Sequence, residues 1–303
     1  MTLDQVRIFV AIAETMHVTR AARGLGLTQS AASAALAALE MRHGLALFDR
    51  VGRHLELTPA GRAFLPEARA LLATAARAKA LLEDLSGLRC GHLTLFASQT
   101  LAGYWLPARL HQFHQAYPGI ALTLLIGNTA QACAAVRDGM ADLGFVEGRI
   151  TDPALTIRPL GGDQLVLVVG AGHPAAWAGS LAPAALAELD WVLREPGSGT
   201  RQRFEAALSG FGIDPARLRV ALQLPSNEAV RGAVEAGAGA SVLSDLVAAS
   251  GLRAGTLVAL DLPFPTRAFT LIRHHQRVPS RAETALTALL DAALSSEKSE
   301  ESS

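Results

Sequence analysis

The 303-residue chain is short of cysteine, of net charge and of aromatic residues, with two cysteines, a formal charge of zero and 5% aromatics. Cys90 and Cys133 form no CxxC pair, so neither a disulfide framework nor a zinc site is expected, and both read as small packing residues. Half of the residues are hydrophobic, yet no uninterrupted apolar run approaches the ~18 residues a membrane helix needs. The opening MTLDQVRIF lacks a basic region followed by an apolar core, which places the expected location in the cytoplasm. A GxSxG nucleophile elbow, a GxxxxGK(S/T) phosphate loop and an HExxH pair are all missing. His111, His114, His274 and His275 lack acidic companions at metal spacing. No catalytic residue, metal ligand or cofactor is therefore expected. The zero net charge argues against a general nucleic-acid coat, but the charges are uneven. Residues 1–89 hold 11 of the 27 Lys and Arg and 8 of the 27 Asp and Glu, an excess of three positive charges.

What is present divides into three segments. In the first, Leu3, Val6, Phe9, Val10 and Ile12 form one helical stripe, with Thr2 and Gln5 placed for a capping box. The stretch VTRAARGLGLTQSAASAALAALE then interrupts two alanine-rich runs with Gly24 and Gly26. Each glycine costs a helix interior about 1 kcal/mol against alanine, so the spacing predicts a break instead of one long helix. Thr19 is the expected N-cap of the second helix and Gly26 its end, and Thr28 the N-cap of a third from Gln29 to about Arg42, with Ala32, Leu36 and Leu39 inward. Two short helices across a tight turn make a helix-turn-helix. LFDRVGRHLELTPAG follows, with Val51-Gly52-Arg53 as a turn between two short strands, a candidate wing.

Thr58-Pro59 starts the second segment as a cap followed by proline at the first helical position. Phe64, Ala68, Leu71, Ala75, Ala78, Leu82 and Leu85 recur at four-and-three spacing, the pattern of a coiled-coil dimer seam, with Pro66 expected to kink the helix or mark its true start. From about residue 91 the pattern changes to strands alternating with helices: HLTLFAS, IALTLLIG, DLGFV and QLVLVVG are separated by amphipathic runs, which predicts parallel α/β sheet in two similar lobes. Ser280 with Glu283 caps a last helix, and SSEKSEESS reads as a disordered tail. The expected domains are 1–57, a linker helix 58–89, an α/β region 90–294 and a tail 295–303.

Over residues 1 to about 294 the chain resembles the LysR-type transcriptional regulators. FVAIAE, TRAARGLGLTQSAASAALAALE, LFDR, LTPAG, YPGI, DLGFVEG, EPGSGTR and EAVRGAVEAGAGASVLS carry the likeness in that order. The resemblance implies an α/β fold class with an N-terminal winged helix-turn-helix, a long dimerising linker helix, and an effector domain of two Rossmann-like lobes similar to periplasmic binding proteins. It also implies a homodimer or homotetramer that switches transcription at a dyad-symmetric promoter site in double-stranded DNA when a small molecule binds between the lobes, with RNA polymerase as a further partner. Thr28, Gln29, Ser30 and Ser33 would place short polar groups at the N-terminal end of a recognition helix, where they reach base edges. At Ala34 the family often carries arginine or another long polar residue, which leaves more of the specificity to DNA shape. Thr19, Arg20 and Arg23 on the second helix, with Arg50 and Arg53 at the wing, are suited to phosphate or minor-groove contacts.

For sensing, ligands in α/β clefts sit beyond the C-terminal strand ends, against helix N-termini whose free amides favour anions. Ser98, Gln99 and Thr100, then Thr129, then Ser198, Gly199 and Thr200, and Ser226 are expected there. Their short polar side chains point to a small anionic effector gripped by hydroxyls and amides. An enzyme and a solute-binding protein without DNA-dependent regulation are the two alternatives, and neither explains the N-terminal helix-turn-helix.

Overall fold

A computed structural model describes residues 1–51, 54–84, 91–177 and 182–300. The chain forms two compact units, one N-terminal and one from residue 91 onward. In the first, α1 (Leu3–Thr15) opens with a complete Thr2–Gln5 capping box. Val6, Phe9 and Ile12 are fully buried, whereas Leu3 at the helix entrance is 43% exposed and outside the stripe expected of it. The next helix, α2 (Val18–Gly24), starts earlier than expected. Its N-cap is His17, whose ring nitrogen accepts from the Arg20 amide at 3.4 Å, so Thr19 lies within the first turn as an exposed helix residue. Gly26 follows with φ +68°, a left-handed conformation closed to most side chains, and this explains the glycine in the break. Thr28 caps α3 (Gln29–His43) through the Ala31 amide, and Gly44 closes it in the left-handed region. Strands β1 (Phe48–Val51) and β2 (His54–Leu57) pair antiparallel with Val51 opposite His54, as a two-stranded wing requires. Gly52 and Arg53 at its tip lie outside the described residues.

The long helix α4 (Pro59–Asp84) passes through Pro66 without ending there, so Pro59 is its true start. Its first turns belong to the N-terminal core: Ala68 is fully buried, and the Phe64 ring lies 5.0 Å from that of Phe9. The expected dimer seam thus loses Phe64 and Ala68 to this unit's own packing, while Leu71 remains 37% exposed. The side chain of Leu82 and all of Leu85 lie outside the described residues, as does Cys90.

The second unit has two lobes, each built on a five-stranded sheet. Lobe I contains β3 (Gly91–Ser98), α5 (Leu106–Ala116), β4 (Ile120–Gly127), α6 (Thr129–Asp138), β5 (Leu143–Glu147) and β6 (Leu155–Asp163). Lobe II contains β7 (Leu165–Gly170), β8 (Asp190–Arg194), α7 (Gly199–Gly210), β9 (Arg219–Leu224), α8 (Asn227–Glu235), β10 (Ala240–Ser244), α9 (Asp245–Ala254) and β11 (Leu257–Leu260). The chain then returns to lobe I through β12 (Arg267–His274) and α10 (Arg281–Glu300). Strand orders are β4-β3-β5-β12-β6 and β11-β7-β10-β8-β9. The sheets are mixed, not parallel throughout. β12 runs antiparallel to β5 and β6, and β7 antiparallel to β10 and β11, because these strands begin or end where the chain passes between the lobes instead of following a βαβ crossover. The expected tail also differs: α10 continues through Glu300, since Ser295 and its neighbours extend the i→i−4 pattern set by the Ser280–Glu283 cap, with Ser295 Oγ donating to the Asp291 carbonyl.

Candidate functional site

Two clusters of polar side chains stand out, one in each unit. In the first unit, Thr19, Arg20, Arg23, Thr28, Gln29, Ser30, Ala34 and Arg50 are exposed and Ser33 half-buried. The cap places Thr28 at the start of α3, and the following turn projects Gln29 and Ser30 outward, because Ala32, Leu36 and Leu39 take the core side. Gln29 Nε2 donates to Ser33 Oγ at 3.0 Å, and the Thr28 and Ser30 hydroxyls lie 3.1 Å apart. Thr19, Gln29 and Arg50 meet in one concavity of about 400 Å³ that Met16, His17, His54 and Leu55 also line. Three elements therefore present polar or cationic groups to one opening, bounded by a helix N-terminus that favours negative charge. His17 and His54 were missed in the sequence because histidine is an uncommon N-cap and an ordinary surface-strand residue.

In the second unit, all eight residues expected at the cleft fall on the facing sides of the lobes. None is free. Ser98, at the end of β3, donates its hydroxyl proton to Glu147 Oε2. Gln99 reaches across to lobe II, giving its amide to the Pro225 carbonyl at 2.6 Å and accepting the Asn227 backbone N–H at 2.9 Å. Thr100 accepts from Asn227 Nδ2 at 3.1 Å. Thr129 donates to the Glu147 carbonyl at 2.7 Å. Ser198 and Ser226 cap α7 and α8 through the amides of Arg201 and Ala229. Thr200 accepts from Arg267 Nη1 at 2.7 Å. A Cβ on Gly199 would lie 2.2 Å from the Glu147 carbonyl and 2.7 Å from the Thr129 hydroxyl, so only glycine lets the lobes approach this closely.

The charged members of the cluster are those that sequence reasoning did not single out. Arg267 has no exposed surface and holds Asp163 through both Nε, at 2.7 Å, and Nη2, and Glu147 Oε1 through Nη1 at 3.2 Å. Burial opposes its charge, but Glu147 and Asp163 outweigh burial and hold the guanidinium above its ordinary pKa. Asp163 and Arg267 are also paired in register on β6 and β12, at the crossing between lobes. Arg194, at the end of β8, binds Glu195 through two nitrogens at 2.9 and 3.0 Å and contacts Asn227 Oδ1. Burial raises the Glu195 carboxyl, yet Arg194 and Asn128 prevail and hold it below the usual carboxylate range. Arg201 pairs with Glu205 at 2.7 Å and donates to Gln223 at 2.8 Å and to the Arg194 carbonyl at 2.9 Å. A signal for the missed residues did exist: Glu147 is the single charge of the otherwise apolar β5, and Arg194 ends β8 after the apolar run Trp191–Leu193, where α/β clefts gather their ligands. Among the described residues, no group of three His, Cys, Asp or Glu is placed to share a metal ion.

A winged helix-turn-helix and a bilobal α/β domain in one chain define a ligand-responsive regulator of transcription. The model of bacterial regulatory helix-turn-helix proteins of the lysR family matches residues 3–62, and that of the LysR substrate binding domain matches residues 86–295. The chain belongs to the LysR family. It is 36% identical over 295 residues to the transcriptional regulator CbbR of Rhodospirillum rubrum, covering 96% of each chain. It is 35% identical over 277 residues to the uncharacterized HTH-type transcriptional regulator YeiE of Escherichia coli K12, covering 91% of this chain and 92% of that one. Among solved structures, a cysteine-to-serine mutant of OxyR from Corynebacterium glutamicum, with bound H2O2, superposes with a TM-score of 0.60 at 26% identity, over 99% of this chain and 93% of that one. The protein is thus a DNA-binding transcriptional regulator with an effector-binding domain, and not an enzyme. No helix among the described residues is long and apolar enough to cross a membrane.

Proposed function

We propose that this regulator reads a dyad-symmetric promoter site with the N-terminal turn of α3 and answers to a small oxyanion held between its lobes, in the cytoplasm. Thr28, Gln29, Ser30 and Ser33 contact base edges, Gln29 through the amide pair that matches adenine, with Ala34 leaving its position to DNA shape. Thr19, Arg20, Arg23, Arg50 and Arg53 hold the phosphates or minor groove. The observation that carries this reading is the single concavity shared by Thr19, Gln29 and Arg50. Effector contact falls to Ser98, Gln99, Thr100, Thr129, Ser198, Gly199, Thr200 and Ser226, and their convergence on one interlobe cluster supports it. The functional modules are the DNA-reading domain 1–57, the linker helix 58–89 and the sensing domain 90–294. Leu71, exposed on α4 at the spacing of a seam, supports dimerisation through that helix and assembly as a homodimer or homotetramer.

Selection of binding sites from a random duplex library by the full chain tests the DNA reading: enrichment of a two-fold symmetric sequence is expected, and no enrichment refutes it. A thermal-shift screen of metabolites and inorganic anions tests the sensing, because a ligand that binds only the native state raises its melting temperature by mass action.

A further inference from the structure

We infer that the Glu147 carboxylate is the resident occupant of the anion site, and that the effector is an oxyanion that takes its place on Arg267 and Ser98, beside Thr200. This rests on the reading that the effector binds between the lobes. Glu147 is 2% exposed, and a buried carboxylate persists only where donors satisfy it. One oxygen takes the Ser98 proton and the other faces Arg267 Nη1, which also donates to Thr200. Side chains from β3 and β12 thus converge on a single carboxylate, with Thr200 of α7 on the same guanidinium nitrogen, which is the arrangement an external oxyanion needs.

The charge balance shows why Glu147 is the group that leaves. Two carboxylates contact one guanidinium, and the charge of a third, Asp245, also acts on it. Asp163 engages Arg267 bidentately, whereas Glu147 makes one contact at 3.2 Å, beyond the ~2.7–2.9 Å of a strong charge-assisted bond. No second cation is paired with Glu147 among the described residues. An anion added to this cluster would meet two carboxylates and be repelled. An anion exchanged for Glu147 conserves the local charge and hydrogen bonds and returns an ionised carboxylate to water, where it is best solvated. Since Thr200 belongs to lobe II and Arg267, Ser98 and Glu147 to lobe I, the exchange takes place beside the Arg267–Thr200 contact that ties the lobes. The tethered carboxylate competes with every free anion, so removing it strengthens binding.

Calorimetric titration of the full chain with sulfate, phosphate and acetate, at constant ionic strength, tests the exchange. Glu147→Ala, which vacates the carboxylate's place, is expected to bind at least one of them about tenfold or more tightly than wild type, an effect of removing the competitor. Acetate is expected to raise the melting temperature of that variant above its value in chloride, with no such rise in wild type. Glu147→Gln keeps the shape if Glu147→Ala does not fold, and is expected to bind several-fold more tightly. Unchanged or weaker binding in the Glu147 variants overturns the inference, as does an absence of binding in every protein. Gly199→Ala separates the two levels. If anions bind wild type and Glu147 variants alike but Gly199→Ala weakens them, the cleft reading stands and the exchange is wrong; if Gly199→Ala also changes nothing, the cleft reading falls with it.

Discussion

The DNA-reading face and the interlobe cleft are built from the same kind of residue, short hydroxyls placed at helix N-termini, and use it in opposite ways. Thr28 and Ser30 stay exposed, and their hydroxyls bond each other and, for Thr28, a cap amide. Ser98, Thr100, Thr129 and Thr200 are no more than 3% exposed, and each is committed to a partner on another element. The difference lies in what faces the helix end. In the N-terminal unit it is open surface, so polar groups remain available to a partner. In the cleft it is the opposite lobe, and each polar group must find a protein partner or incur the cost of burial without one.

The contrast can be broken most strongly at Arg267. Arg267→Met leaves Glu147 and Asp163 buried without their cation, and a loss of about 3–5 kcal/mol in urea denaturation is expected, as for one partner removed from a buried ion pair. Arg50→Met on the exposed face should change stability by less than ~0.5 kcal/mol under the same conditions. Next is the lobe contact. Gly199→Ala sets a methyl group 2.2 Å from the Glu147 carbonyl, so the lobes must part. About 1–3 kcal/mol of destabilisation is expected, together with a larger radius of gyration in solution scattering.

A smaller effect sharpens the comparison from a third place, the start of α10. Burial first, and Asp142 second, push the Glu283 carboxyl up to about 7. A carboxyl raised on folding binds more protons in the folded than in the unfolded state between its ordinary pKa and about 7, so its contribution to stability is present at low pH and lost as pH rises. Between pH 6 and 8 the loss is roughly 1 kcal/mol. Melting curves across that range should show the slope in wild type and its absence in Glu283→Gln. Least of all, Cys133, whose thiol burial and Asp152 push up to about 11, should react slowly with a thiol reagent at pH 8 in the folded protein and quickly once unfolded.

Local signals made the first unit legible. The Thr2–Gln5 box, the Thr28 cap and the glycine break all act within four residues, and α3 runs within a residue of its expected end. The α2 cap was misplaced because an imidazole accepting from Arg20 does the work that Thr19 suggests. In the second unit the strands were legible from their apolar runs, and so were the places of the eight expected residues at strand and helix ends. Their partners were not. Glu147 meets Ser98 across 49 residues, Arg267 meets Thr200 across 67 and Asn227 meets Thr100 across 127, and no periodicity reports pairings at such separations. The antiparallel β12 was missed for the same reason, since its direction follows from the chain's return between lobes.

The most direct test of the account is a fluorescence-anisotropy titration of a selected dyad-symmetric duplex with wild type, Gln29→Ala and Thr200→Val, without added effector. Loss of a bidentate base contact predicts a Kd about 5- to 150-fold weaker for Gln29→Ala, the equivalent of about 1–3 kcal/mol. Thr200→Val, whose hydroxyl is enclosed between the lobes, should stay within about twofold of wild type, a range of less than ~0.5 kcal/mol. Wild-type affinity in Gln29→Ala, or an equal loss in both variants, would contradict the assignment of exposed polar groups to DNA and enclosed ones to the cleft.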